Sequence, residues 1–166
     1  ETARVFGARL AHPLPGGRAG AVPAHTEWLR SGDLGVYVNG ELFVTGRIVD
    51  LVTVGGRNLY PQDLEATAAD ASPLVRRGYV VAFTAPVGAD PDRLIVIAER
   101  ATGTSRSDTQ PAIAAVREAI RKRHGVEPFE VRLLPAGAIP RTTSGKLARR
   151  ACRAAYLDGM LAGTRR

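Results

Sequence analysis

Ile48-Val-Asp-Leu-Val-Thr-Val-Gly-Gly-Arg-Asn-Leu-Tyr-Pro-Gln-Asp-Leu-Glu65 is the stretch on which the fold turns. Its first part, Ile48–Val54, is rich in β-branched residues and reads as a strand that Gly55-Gly56 ends. Pro61 then opens a helix running to about Ala71, its fixed φ suited to the first helical position. Asp63 and Glu65 follow where the helix dipole favours negative charge.

Downstream, strands are expected at Arg77–Thr84 and Leu94–Glu99, separated by a Pro/Gly/Asp turn region at 86–92. Thr102–Thr109 reads as a polar loop. An amphipathic helix spans about Thr109–His124, with Ile113, Val116 and Ile120 on one face and Gly125 as its stop. Val131–Leu134 is a further strand, and a last helix runs from about Lys146 to Leu161. This order predicts an α+β fold, a small mixed β-sheet flanked by helices. Upstream, Asn39-Gly40 joins Leu34–Val38 to Glu41–Thr45 as a β-hairpin, because both turn residues tolerate positive φ. A short strand is expected around Ala3–Leu10, and Trp28 reads as a packing residue.

The 166 residues include 23 Lys+Arg and 16 Asp+Glu, a net +7. Residues 141–166 carry seven cations against Asp158, whereas the other 140 residues are close to neutral. A basic tail raises a nucleic-acid reading, but such binding wants stacking aromatics among the cations, and this tail holds only Tyr156. Nucleic acid is therefore not an expected partner. No apolar run approaches the roughly 18–20 residues of a membrane helix; the best is Tyr79-Val-Val-Ala-Phe83. One cysteine, Cys152, excludes an internal disulfide framework and fits a reducing, cytoplasmic setting. It reads as a packed small hydrophobe within a helix. His12, His25 and His124 are far apart, with no Cys or carboxylate ladder, so no metal site is expected. Only Lys122 and Lys146 are lysines, a bias that suggests a GC-rich genome. The chain starts at Glu1 with no signal-peptide pattern, as a piece cut from something longer would.

Thr142-Thr-Ser-Gly-Lys146 looks like a phosphate loop but is not a Walker A motif. That motif needs glycine where Pro140 stands and Ser or Thr where Leu147 stands. Ser31-Gly32-Asp33 reads by itself as a turn ahead of the hairpin. Taken together, four ordered segments carry more. Ser31-Gly32-Asp33, Gly46-Arg47, the Gly55–Glu65 stretch and Pro140-Arg-Thr-Thr-Ser-Gly-Lys-Leu147 resemble the C-terminal part of the adenylate-forming superfamily. That superfamily contains acyl-CoA synthetases, peptide-synthetase adenylation domains and luciferases. Within it, Gly56-Arg-Asn-Leu-Tyr-Pro-Gln-Asp63 and Ala151-Cys-Arg-Ala-Ala-Tyr-Leu157 look most like actinobacterial fatty acyl-AMP ligases.

The resemblance implies that residues 1–46 end a large N-terminal domain, the chain's own partner, and that 47–166 form a mobile C-terminal domain. It implies activation of a fatty acid with ATP to acyl-adenylate, releasing pyrophosphate, then transfer to an acyl carrier protein of a polyketide synthase. The alternative acceptor is CoA. By the same resemblance Lys146 is the catalytic cation, on a loop able to swing it over the nucleotide. Asp33 binds the ATP ribose, and Arg47 contacts the ribose or phosphate region. The family's pivot lies two residues after Arg47, here Val49 with Asp50 next, so the hinge is carried by one of these. Gly55 and Gly56 line a pantetheine tunnel. Mg2+ is expected in the parent enzyme, with its ligands outside this chain. Arg76, Arg77, Arg149, Arg150 and Arg153 are candidates for docking an acidic carrier protein.

Overall fold

The computed structural model describes residues 2–13, 22–23, 25–103 and 109–161. The chain divides into two compact units, Glu1–Val49 and Asp50–Arg166.

In the first unit, helix α1 (Thr2–Phe6) stands where the sequence suggested a strand. The segment has no apolar alternation, and Ala3 and Arg4 are good helix formers. Of the expected strand only Ala8 pairs, in an isolated bridge to the half-buried Trp28. Strands β1 (Asp33–Val38) and β2 (Glu41–Arg47) form the antiparallel hairpin the sequence predicts. Asn39 and Gly40 turn it at φ of 50° and 85°, the doubly positive pair a type I′ turn requires.

Ile48–Val54 is not one strand. Ile48–Asp50 make a 3-10 turn, and only Val52–Val54 (β3) extend, pairing with Arg57–Leu59 (β4) across Gly55-Gly56. Asp50 is a poor strand former, and it falls where the run breaks. Helix α2 (Pro61–Asp70) follows with proline in its first turn.

The core of the second unit is a sheet ordered β5 (Val75–Val87), β6 (Asp90–Arg100), β7 (Glu130–Leu134). The first pair is antiparallel and the second parallel, so the sheet is mixed as expected. A parallel return needs a long crossover, and helix α3 (Thr109–His124) supplies it. In the polar loop before α3, residues 104–108 lie outside the described residues.

Because side chains alternate across a strand, β5 and β6 feed two cores at once. Val80, Ala82, Leu94, Val96 and Ala98 meet Leu64 and Ala68 of α2 and Ile113, Val116 and Ile120 of α3. Val81, Phe83, Ile95 and Ile97 face the other way, against Ile139 and Cys152. Helix α4 (Arg149–Leu157) closes this second core. It is shorter at both ends than the expected Lys146–Leu161. Leu147 is held by a bridge to Arg141, and Gly159, at φ 70°, ends the helix in a left-handed turn. Among the described residues no helix is long and apolar enough to cross a membrane.

Ile120 is fully buried beneath the sheet. Ile120→Ala is expected to cost about 2–5 kcal/mol of unfolding free energy. Urea denaturation followed by circular dichroism checks it.

Candidate functional site: the lysine loop

Pro140 to Ala148 form a closed loop in the connection from β7 to α4, with Lys146 near its end. Ala148 N–H donates to the Pro140 carbonyl at 3.0 Å and ties the base. Inside, Thr142 N–H donates to the Lys146 carbonyl at 2.8 Å, and Gly145 N–H to the Thr142 carbonyl at 2.8 Å. Lys146 N–H returns a bond to Thr142 Oγ1 at 3.1 Å. Gly145 turns the loop at φ 79°, a conformation that costs other residues. The Arg141 guanidinium donates to the Gly145 carbonyl at 2.7 Å and lies over the Tyr79 ring. The loop is thus internally bonded rather than a loose flap. Lys146 is exposed, and among the described residues no carboxylate pairs with its ammonium.

Two carboxylates stand at the ends of this loop. Glu99, on β6, is 0% exposed. It accepts from Ile139 N–H at 3.0 Å and from Arg76 at 2.7 Å. Burial pushes its pKa up, but the backbone donors of Gly137 and Ile139 and the Arg76 charge outweigh that. The carboxyl therefore titrates below its ordinary range. At the other end Glu65 accepts two bonds from Arg149, at 2.6 and 2.7 Å, and a third from Ala82 N–H at 3.1 Å. The sequence suggested a dipole role for Glu65; its side chain instead reaches across to α4, and Asp63 alone is acidic in the first turn.

Further bonds seat α4. Tyr156 donates to Glu130 at 2.7 Å, and its ring meets Phe83 edge-on at 5.7 Å between centroids. Cys152 is buried at the helix centre, and burial pushes its thiol up to about 12, with the Glu65 charge adding to the shift. It is the packed small residue the sequence suggested, and its thiol is inert at neutral pH.

In the first unit, Arg47 Nε donates to Asp33 Oδ1 at 3.1 Å. Asp33 is about one-third exposed, so carboxylate lone pairs remain free to accept two neighbouring hydroxyls such as those of a ribose. Val49 is well exposed, and Asp50 is half-buried at 4.0 Å from Arg150. Gly55 and Gly56, at φ 56° and 76°, form the β3–β4 turn, and open space surrounds both. Positive φ is what requires glycine there. Beside them Arg57 donates to the His124 carbonyl at 2.9 Å, tying the hairpin to the end of α3. Burial, reinforced by the Arg123 charge, pushes the His124 pKa down, so the imidazole is neutral at pH 7.

The five arginines singled out for docking are mostly occupied within the chain. Arg76 pairs with Glu99, Arg149 with Glu65, and Arg77 with Asp70, while Arg153 donates to the Thr84 carbonyl. Arg150 and Arg77 stay well exposed, each with 76% of its side chain open to solvent. The other lysine, Lys122, lines an open cleft of about 440 Å3 between α2 and α3, with Thr67, Asp70, Ala71, Ala119 and Arg123. Among the described residues no group of His, Cys, Asp or Glu is set to hold a metal ion. Glu65 and Glu99 were not among the residues the sequence singled out for the site. Position alone marks neither, since each finds its partners far along the chain.

No family model matches the chain. The long-chain-fatty-acid–AMP ligase FadD32 of Mycolicibacterium smegmatis is 47% identical, with 84% of this chain and 26% of that protein covered. The medium-chain-fatty-acid–[acyl-carrier-protein] ligase JamA of Moorena producens is 38% identical, with 97% and 26% covered. A solved structure from a study of fatty acyl-adenylate ligases of E. coli and L. pneumophila superposes with a TM-score of 0.68. It is 36% identical, over 82% of this chain and 23% of its own. The chain therefore belongs to the adenylate-forming enzymes, as a C-terminal part of the fatty acyl-AMP ligase-like kind. It spans about a quarter of the length of the curated relatives it matches. Enzymes of this family generally use ATP and Mg2+.

Two outcomes follow from the loop's surroundings. The folded state holds the Glu99 proton less tightly than the unfolded chain does. Its stabilisation is therefore complete at neutral pH and drains away as pH falls through the folded-state value. Melting temperatures measured across the acidic range should fall with pH, and Glu99→Gln should flatten that slope. Cys152 should resist a thiol reagent such as dithionitrobenzoate in the folded chain and react at once in denaturant. A fast reaction without denaturant contradicts its placement.

Proposed function

We propose that this chain is the mobile C-terminal domain of a fatty acyl-AMP ligase, residues 47–166, preceded by residues 1–46 as the end of the large N-terminal domain. The compact units divide three residues further on, between Val49 and Asp50, which supports a pivot there and keeps Arg47 with Asp33 in the first unit. In the first half-reaction a fatty acid carboxylate attacks the α-phosphorus of ATP. The acyl–oxygen–phosphorus bond forms, the bridge to the β-phosphorus breaks, and pyrophosphate leaves. In the second, the thiol of an acyl carrier protein of a polyketide synthase takes the acyl group and AMP departs. The carrier acceptor is in keeping with the printed activity of JamA.

The observation that carries this reading is Lys146, an exposed ammonium without a carboxylate partner among the described residues, near the end of an internally bonded loop. Negative charge grows on the phosphate oxygens as the two anions approach, and a fixed cation aimed there lowers the barrier. Because the loop is closed on itself, Lys146 reaches the nucleotide by motion of the whole unit, not by swinging of the loop. Asp33, oriented by Arg47, accepts the ribose hydroxyls and fixes the nucleoside. The β3–β4 turn at Gly55 and Gly56 offers backbone without side chains along the path of a pantetheine thiol. Magnesium would neutralise phosphate charge, held by groups beyond this chain. A reduced, buried cysteine and an ATP-dependent reaction are in keeping with the cytoplasm.

In the full-length ligase, Lys146→Ala is expected to slow acyl-adenylate formation by about 10²–10³, the loss of about 2.7–4 kcal/mol of transition-state stabilisation. Transfer from supplied acyl-adenylate should persist; equal loss of both halves contradicts the role. The 166-residue chain alone should show no ATP–pyrophosphate exchange, because the acyl pocket and most adenine contacts are assigned to the large domain. Offering the full-length ligase CoA beside holo carrier protein should give acyl-carrier product. Preferential acyl-CoA formation assigns the other acceptor.

A further inference from the structure

We propose that Glu65 and Arg149 form a positioning pair for Lys146, setting the direction in which the lysine loop presents its ammonium. This deepens the reading of Lys146 given above and rests on it. Arg149 is the first residue of α4, three positions beyond Lys146. Its guanidinium meets Glu65 as a two-bond fork, at 2.6 and 2.7 Å, with side-chain exposures of only 23% and 12%. An exposed pair with one bond would hold little. This one is bidentate and partly dry, and a third donor, Ala82 N–H of the sheet, fixes the carboxylate itself.

The distinction between holding and aiming matters. Cys152 and Tyr156 pack α4 against the sheet, but apolar contact carries no direction, and the bonds of Arg153 to the Thr84 carbonyl and of Tyr156 to Glu130 lie beyond the helix's first residue, further from Lys146. A planar fork does: it fixes the rotation of the first turn of α4 about its axis, and with it the exit of the chain at Ala148 and Lys146. The opposite end of the loop is set by a second carboxylate, as Glu99 holds Ile139 N–H. The lysine loop is therefore strung between α2 and β6, elements rigid by burial, and it turns with them as one body. Asp50, at the proposed pivot, faces Arg150, the neighbour of Arg149, at 4.0 Å. The same helix turn thus meets the hinge on one side and aims the lysine on the other.

Arg149→Lys separates aim from attachment, because lysine keeps the charge and loses the fork. Glu65→Gln is its counterpart, keeping an acceptor for Ala82 while removing the charge. In the full-length ligase, both variants are expected to lower kcat for acyl-adenylate formation about tenfold to a hundredfold, the scale of a small misplacement of a reacting group. KM for ATP should stay close to wild type, since Glu65 and Arg149 are assigned no contact with ATP. Transfer from supplied acyl-adenylate should also stay close to wild type. Melting temperatures recorded on the same samples exclude unfolding as the cause, and Lys146→Ala measured alongside locates the failure. If Lys146→Ala abolishes adenylation while both variants run at the wild-type rate, the positioning role is overturned and the role of Lys146 stands. Equal loss of both half-reactions in the variants overturns it too, as a structural tie would behave so. If Lys146→Ala itself adenylates normally, the reading beneath it falls as well.

Discussion

Burial of β6 on both faces is the constraint from which the second unit follows. Leu94, Val96 and Ala98 point to one side and Ile95 and Ile97 to the other, and all five are essentially inaccessible. A strand with two apolar faces needs cover on each. Helices α2 and α3 cover one, and the 135–161 segment with α4 covers the other. The lysine loop exists where it does because the chain, leaving β7, must turn over this second face before α4 can close it. Burying Glu99 at the end of the same strand would be costly without partners; the turn before the loop supplies one as Ile139 N–H, and β5 supplies the other as the Arg76 guanidinium.

On the proposed function, the site divides its tasks between rigid and mobile parts. Catalysis of adenylate formation wants a cation placed to within a fraction of an ångström, whereas a two-step reaction wants the same cation removed afterwards. A flexible loop serves the second need and fails the first. A closed loop fastened to a compact unit serves both when the unit itself turns. The first unit carries the Asp33–Arg47 pair, to which the proposal gives the positioning of the nucleoside: an acceptor for hydroxyls, steadied by a guanidinium. Lys146 and Asp33 thus fall on opposite sides of the Val49–Asp50 division.

Periodicity made most of the fold legible. Thr109–His124 matches its helix end to end, because a long amphipathic face and a glycine stop are strong local signals. Asn39-Gly40 specifies its turn by the φ values it tolerates. Where the reading failed, the deciding forces were not local. Ile48–Val54 has strand composition, yet its first residues turn, and only the pairing of β3 with β4 shows which remain extended. The first half of Ala3–Leu10 became helix, and of the rest only Ala8 found a pairing partner, in Trp28. Motif resemblance picked out Lys146 and Asp33, whose proposed roles rest on spacing within short segments. Glu65 and Glu99 were not singled out, since their meaning lies in Arg149, 84 residues away, and Ile139, 40 away. Arg149 and Arg76 read as free cations for the same reason.

The central claim, that the Lys146 ammonium acts on the forming adenylate, is open to chemical rescue in the full-length ligase. Lys146→Cys removes the ammonium, and alkylation with bromoethylamine rebuilds one of nearly the same length. Cys152, buried and with its thiol pushed up to about 12, stays unmodified in the folded protein. Acyl-adenylate formation should be lost in the substituted enzyme and return with the ethylamine label. Activity that survives the substitution, or that stays absent once the label is in place at 146, contradicts the account.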